Sequence, residues 1–475
     1  MRLRAEWVLA YRDGDHVLLH DGEVVVEGDR IVSAGPATGA PATDLGTALL
    51  MPGLIDLDAL ADIDHAIYDS FGASELDWSQ HHFRYGRFDV LSRQDKAFVR
   101  RYAFTQLLLH GVTTAMPIAA ETHSRWAETF DETVDMAAAA RELGLRTYLG
   151  PSYRSGVNVV LDDGTPAVLW DEAEGEAGFA DAVRFARWAR EQADPLLRPV
   201  FLPCRIETVT EEILKATAAA AAELNVPVRL HCLQGLGERA KLGESPLAVL
   251  RRTGLLGERL LIPHGIYVDS HSRVATGRDD VAALAAAGVS IVHCPLTSAR
   301  YGSALESFGR YRAAGVNLTL GTDSFPPDLV RGMDYGVNMA KVVDHRLDAA
   351  SPADYVRAAT LNAARALGRE DLGRIAPGAQ ADLVAFPLDD ICDGVLDDPV
   401  RTLLYNRNAR HPRLTMVAGH TVVRDGELTG FDVASARTRA AEILRRLKEG
   451  YPTRDRRRRP VTEIFPPEFP VVATP

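Results

Sequence analysis

Cysteine is scarce in this chain: four in 475 residues, at Cys204, Cys232, Cys294 and Cys392. They show no paired spacing, which excludes a disulfide framework and gives no sign of a zinc knuckle. Positive charge is short as well. Asp and Glu number 65 against 53 Lys and Arg, a formal net charge of −12 at pH 7. That balance argues against a nucleic-acid surface and leaves the substrate open. No apolar run approaches the ~20 residues that span a bilayer, and Met1 to Arg12 lacks a long apolar segment. The expectation is a cytoplasmic protein with neither membrane nor nucleic-acid partners. What is present is ordinary for a globular chain, 46% hydrophobic and 25% charged residues. The length suits one large domain and a smaller one.

Both ends of the chain are β-like. His16–His20, Glu23–Glu27 and Arg30–Ser33 read as short strands separated by Asp21-Gly22 and Gly28-Asp29, which are hairpin signals. The same texture returns at Ala381–Pro387 and Leu414–Val423, with Gly419 and Asp425-Gly426 as turns. Two β-rich ends around a long middle predict a small β-sandwich built from residues 1–50 and 376–430. Residues 431–475 read as an amphipathic helix and an Arg/Pro-rich tail. Its Arg456–Arg459 run is read as solvated, with an acidic partner as the other reading.

Between them, residues 51–375 alternate apolar runs with helical patterns. The runs begin at Met51, Gly111, Leu145, Pro199, Val226, Arg259, Val289 and Val316. Continuous apolar character, rather than alternation, marks strands covered on both faces. Thr208-x-x-Glu211 reads as a capping box ahead of an Ala-rich helix ending at Asn225, while Gly288 and Gly315 read as helix C-caps. Eight alternations predict an α/β fold of the (β/α)8 TIM-barrel type. In that fold the site lies at the C-terminal ends of the strands. The residues there are Asp58, Met116, Tyr153-Arg154, Cys204-Arg205, His231, His264, His293 and Asp323. Several titratable groups converging on one rim point to a functional cleft.

The stretch Met51-Pro52-Gly53-Leu54-Ile55-Asp56-Leu57-Asp58-Ala59-Leu60 resembles the opening strand of the amidohydrolase superfamily, in its branch of deaminases and triazine chlorohydrolases. The resemblance covers nearly the full length. It implies a barrel with a β flank, a homodimer, and a catalytic metal held by a His-x-His pair that here falls on Asp58 and Leu60. It further implies that His231 is the fifth-strand metal ligand and His264 the sixth-strand group that polarises substrate or water. Asp323 then matches the eighth-strand ligand and base. Gln234 stands where the branch has a proton-shuttling Glu, and Cys204 where a substrate-contacting His is frequent. His293, with Ser298, Arg300, Tyr301 and Gly302 beyond it, resembles the seventh-strand signature.

Leu60 cannot ligate, so the resemblance implies Asp58, His231 and Asp323, or these three with His264, as ligands for one divalent ion, Zn, Mn or Fe by donor type, the other reading being no cofactor. Asp62, Asp64 and His65 lie just beyond and are read as solvated loop residues. A Gln amide cannot titrate, which leaves His264 or His293 as the acid. Arg154 and Arg205, with Tyr153 beside them, suit a carboxylate or phosphate on a substrate; the other reading pairs each Arg with a local acid such as Glu207 or Asp77. Asp77, Trp78, His81 and His82 read as part of a lid. The function expected is hydrolysis of a C–N bond in a small, polar, anionic nitrogen compound. A catalytically silent binding protein, or a metal-free acid/base lyase or isomerase using Asp323 and His264, remain the alternatives.

Overall fold

The computed structural model describes residues 1–63, 90–118, 126–407, 411–455 and 457–472. Strand Arg2–Arg12 pairs antiparallel with Asp15–Glu27, and the chain reverses at Asp13-Gly14, both at positive φ. Asp15–Glu27 is one strand of 13 residues, so Asp21-Gly22 is not the turn its composition suggested. Asp21 takes φ 50° as an irregularity inside the strand. A Cβ on Gly22 would lie 2.5 Å from a Val8 methyl. That glycine allows close packing on a long partner strand rather than a reversal. Gly28-Asp29 does turn the chain, into Arg30–Pro36.

The two ends of the chain join in one nine-stranded sheet. Its order runs Glu427–Leu428, His420–Arg424, Leu414–Val417, Leu383–Pro387, Ala48–Pro52, Arg2–Arg12, Asp15–Glu27, Arg30–Pro36, with Thr43–Asp44 paired to Arg2–Arg12. The pairing is continuous, where two stacked sheets were expected. Leu3, Val8, Val24, Ile31, Leu50, Leu383 and Met416 form a core of their own from both termini.

Ala48–Pro52 feeds directly into the middle of the chain through Gly53. There, Leu54–Ala59, Val112–Pro117, Arg146–Leu149 and Leu197–Pro199 make one four-stranded parallel sheet. Val228–Arg229, Leu260–Pro263, Ser290–His293 and Asn317–Leu320 make a second. Seven of these strands lie within the apolar runs, and the fourth sits slightly ahead of its run. Phe201 bridges Val228 in parallel on one edge, and the Asp323 N–H donates to the Asp58 carbonyl at 2.7 Å on the other. Ile55, Leu57, Tyr148, Val200, Leu261 and Val292 form one cluster drawn from both sheets. The sheets therefore share an interior. Leu54, Val112, Leu145, Ile262, Ile291 and Leu318 face the helices instead. This is the period-2 alternation of strands covered on both sides.

Helix ends follow the local chemistry. Ser92 caps Arg93–Leu109, and Thr129 with Glu132 forms a reciprocal capping box on Phe130–Leu143. Glu211–Leu224 ends at Asn225 in the left-handed region, but it starts at Thr210. Thr208 is not its cap. That residue lies in a 3-10 turn, where its hydroxyl donates to the Arg205 carbonyl at 3.1 Å. Gly288 and Gly315 follow helices Asp280–Ala286 and Phe308–Ala313 at φ 73° and 86°.

After helix Val433–Gly450, the tail folds back. Tyr451, Ile464 and Phe465 pack with Ile63, Leu91, Val99, Ile443 and Leu447. Arg459 makes a buried bidentate pair with Asp455 at 3.0 Å, so the Arg run is not simply a solvated tail. Arg457 and Arg458 are exposed. Among the described residues, no helix is long and apolar enough to cross a membrane.

Candidate metal centre

Four strand ends deliver the central group. Asp58 lies on Leu54–Ala59, His231 just beyond Val228–Arg229, His264 just beyond Leu260–Pro263, and Asp323 beyond Asn317–Leu320. Each offers a ligand atom within 4.8 Å of the others, and all four are buried. Two of these ends turn in the left-handed region, His264 at φ 66° and Asp323 at φ 55°. Such backbone costs on the order of 1–3 kcal/mol per residue and collects at functional sites. Here it marks the turn that follows two of the strands, at His264 and at Asp323.

Close approach is built into the glycine next to this group. A Cβ on Gly321 would lie 2.6 Å from the Asp58 Cβ, so only glycine lets the eighth strand end pass the first. Asp56, two residues before Asp58, accepts from the Thr322 hydroxyl at 2.6 Å and the Thr322 N–H at 3.1 Å. The Thr322 hydroxyl in turn accepts from the Leu60 N–H at 3.1 Å. Burial pushes the Asp56 carboxyl up to about 7 against these hydrogen bonds. Leu60, which cannot bind metal, is fully buried and contributes a backbone link only.

Asp58 is fully buried. Its Oδ2 lies 3.6 Å from His231 Nε2 and accepts from the Cys294 thiol at 3.6 Å. Its Oδ1 lies 3.2 Å from an Arg229 terminal nitrogen without hydrogen-bond geometry. Burial alone would raise this carboxyl; the charges of His231 and Arg229 outweigh it and hold it low. His264 Nε2 is 3.8 Å from Asp323 Oδ2, and burial lowers the His264 imidazole to about 4. The His231 and His264 rings are 5.6 Å apart.

A divalent ion fits these residues by a simple test. Asp58 Oδ1 and His264 Nε2 are buried with no hydrogen-bond partner, a costly state for polar atoms unless something else satisfies them. Two carboxylates and two imidazoles are ordinary donors for a first-row divalent metal. The missing His-x-His pair therefore does not break up the group. Leu60 is lost, but Asp58 falls in with the other three.

The remaining expected residues divide. Arg205 donates to the Gln234 side-chain oxygen, so these two form a unit beside His231, to which Arg205 is bridged in parallel. Arg154 is buried, its guanidinium carbon 5.7 Å from the Trp126 ring centre. Cys204 is buried, and its N–H donates to the Tyr153 carbonyl at 2.9 Å. Tyr153 and His293 face the helix side. The Tyr153 hydroxyl is 2.7 Å from Thr217 on helix Glu211–Leu224, and its ring is edge-on to Phe179. The His293 ring packs 6.1 Å from both Phe308 and Tyr355, and burial lowers it to about 3. Asp62 is buried rather than solvated, 3.6 Å from Arg100, which also binds Glu128 at 2.7 Å. Asp64, His65, Asp77, Trp78, His81 and His82 lie outside the described residues.

Arg229, Cys294, Asp56 and Thr322 also belong to the site, although strand-end counting did not find them. Period 2 was the available signal for two of these. Arg229 shares a face with His231, and Asp56 shares one with Asp58.

Residues 49–422 match the model of the amidohydrolase family. A 5-methylthioadenosine/S-adenosylhomocysteine deaminase of Halobacterium salinarum is 28% identical over 435 residues, 89% of this chain and 93% of that protein. An 8-oxoguanine deaminase of Pseudomonas aeruginosa is 30% identical over 352 residues, 72% of this chain and 75% of that protein. Among solved structures, a zinc-bound adenosine deaminase from Xanthomonas campestris superposes with TM-score 0.77 at 25% identity, covering 94% of this chain and 98% of that one. A zinc complex of an atrazine chlorohydrolase from Arthrobacter aurescens shares the fold with TM-score 0.74 at 20% identity, covering 93% and 99%.

Proposed function

Because the chain belongs to the amidohydrolase family, we propose that it is a metal-dependent deaminase that removes an exocyclic amino group from a small nitrogen heterocycle by hydrolysis. The two parallel sheets, read as one closed (β/α)8 barrel, carry the site on their shared rim. The observation that supports this most is the buried group of Asp58, His231, His264 and Asp323 with its two unsatisfied atoms. The deaminases among the relatives supply the substrate class: adenosine-type and guanine-type compounds all carry an amino group on an aromatic ring.

Asp58, His231 and Asp323 would hold the ion, with Zn, Mn or Fe compatible with these donors. When bound, it supplies a Lewis acid and a water acidic enough to react near neutral pH. Asp323 takes the proton from the attacking water and returns it to the departing amine. His264, with Nε2 unpaired and 3.8 Å from Asp323, polarises the ring carbon's substituent. Gln234 moves no proton. Its carbonyl oxygen is held by Arg205, which leaves its amide N–H groups to hydrogen-bond an acceptor on the substrate. One observation favours a metal-free reading: Arg229 lies within ion-pair distance of Asp58.

The test is ammonia release from amino-substituted purines, pyrimidines, triazines and their nucleosides, using zinc-loaded protein. Turnover of at least one class is expected, falling by about a hundredfold or more in Asp323→Asn. Absence of ammonia from every class, with metal verified in the protein, would remove the deaminase reading.

A further inference from the structure

Asp58 brings a second carboxylate into a ligand group that already contains Asp323. Two buried carboxylates facing one small space repel each other unless a positive charge offsets them. The residue placed to do this is Arg229. Its side chain is 2% exposed, and its terminal nitrogen lies 3.2 Å from Asp58 Oδ1. The same nitrogen donates to the Met116 carbonyl at 2.9 Å, which anchors it from the neighbouring sheet, while Nε has no partner. No other acidic side chain among the described residues pairs with Arg229. The arginine and His231 come from the same strand end two residues apart, so one strand presents a ligand and a fixed positive charge to the same carboxylate.

We propose that Arg229 is a positioning residue that acts through Asp58 as a permanent counter-charge, so that the four-residue group presents one net negative charge to a metal instead of two. This rests on the metal-centre reading above and goes beyond it in assigning the charge balance of the site to a residue that does not itself bind the ion. A group left with two net negative charges would hold any divalent cation more tightly and with less discrimination by donor softness. Arg229 therefore keeps the ion's affinity below what its ligands alone would give. It does so by Coulomb repulsion at short range in a buried place, where screening by solvent is weak.

Zinc affinity, measured by competition with a chromogenic chelator, tests this with zinc alone as the probe. The proteins compared are wild type, Arg229→Met, Asp58→Asn and the double variant Asp58→Asn/Arg229→Met. Arg229→Met should bind zinc about tenfold more tightly or better, and Asp58→Asn about tenfold more weakly or worse. The double variant, with the local charge balanced again, should recover most of the loss seen in Asp58→Asn. A purely structural arginine would leave zinc affinity within about twofold in Arg229→Met, and that result, or weaker binding, would overturn the proposal. If Arg229→Met does not fold, the comparison of Asp58→Asn with the double variant decides: recovery supports the counter-charge and no recovery refutes it. A wild type that takes up no zinc would fail one step earlier, by removing the metal centre itself, and is seen before any variant is made.

Discussion

Replacing Arg146 with Met would cut a buried polar anchor between the terminal sheet and the strands that carry the site. Arg146 is 1% exposed and lies at the start of the third parallel strand. Its guanidinium meets Asp382 in a two-pronged pair at 2.8 and 3.0 Å, and it also donates to the Gln380 side-chain oxygen at 2.8 Å and the Pro195 carbonyl at 3.0 Å. Asp382 passes the contact on: its carbonyl accepts from the Gly53 N–H at 2.9 Å, immediately before the strand that ends in Asp58. In Arg146→Met the Asp382 carboxylate stays buried with a single donor, the Ala418 N–H at 2.7 Å. Stripping one partner from a buried pair costs about 3–5 kcal/mol. With an unfolding entropy of about 2.1 cal/mol/K per residue, the whole chain comes to about 1 kcal/mol/K, so Tm should fall by about 3–5 °C. Differential scanning calorimetry reads this directly. The double variant Arg146→Met/Asp382→Leu should lose less than Arg146→Met alone, because no charge is then left unpaired. Equal losses, or a fall below about 1 °C in the single variant, would refute the account of this anchor.

Gly321→Ala should displace Asp58, since the added methyl would sit 2.6 Å from the Asp58 Cβ; zinc uptake should drop while the far-UV spectrum is kept, and unchanged uptake would contradict the packing argument. Thr322→Val removes the hydroxyl that links Asp56 Oδ2 to the Leu60 N–H, taking the partner from two buried atoms while Asp56 Oδ1 keeps the Thr322 and Asp58 N–H groups, and should cost about 2–4 kcal/mol in a denaturant titration. Glu238 accepts backbone N–H groups from Leu233, Gln234 and Gly235. Even so, burial and then the nearby Glu207 push its carboxyl up to about 7 from an ordinary 4.5. A folded state that holds its proton more tightly than the unfolded chain is favoured below about pH 4.5 and loses that stability as pH rises to about 7. Glu207→Gln should flatten this decline, measured as Tm at pH 5 against pH 8, and an unchanged pH slope would show that Glu207 does not act on Glu238.

Much of the fold was legible because its signals are local. The eight apolar runs mark the parallel strands, and Asn225, Gly288 and Gly315 mark helix ends, because each depends only on nearby residues and backbone conformation. Where reading failed, a distant partner had changed the meaning of a local signal. Asp21-Gly22 looks like a hairpin turn until Val8 on the facing strand is seen to need the missing side chain. Asp62 looks like a loop acid until Arg100 arrives from a helix that starts at Arg93. Arg459 looks like part of a solvated tail until Asp455 turns back on it. The site shows the same division. Asp58, His231, His264 and Asp323 could be picked out from strand ends alone. His293 and Tyr153 occupy the same kind of position, yet they point to the helix layer, because a strand offers two faces and its last residue does not declare which one it takes. Arg229 went unnoticed for the opposite reason. Period 2 puts this lone arginine on one face with His231, but nothing local says that a carboxylate lies opposite it.

Elemental analysis of the untagged protein, purified without added metal, tests the central claim most directly. The account predicts about one equivalent of Zn, Mn or Fe per chain, lost in both His231→Ala and Asp323→Ala while the proteins stay folded. A wild-type protein that carries no such metal, and takes up none on dialysis against Zn, Mn and Fe, would contradict the claim that Asp58, His231 and Asp323 form a metal centre.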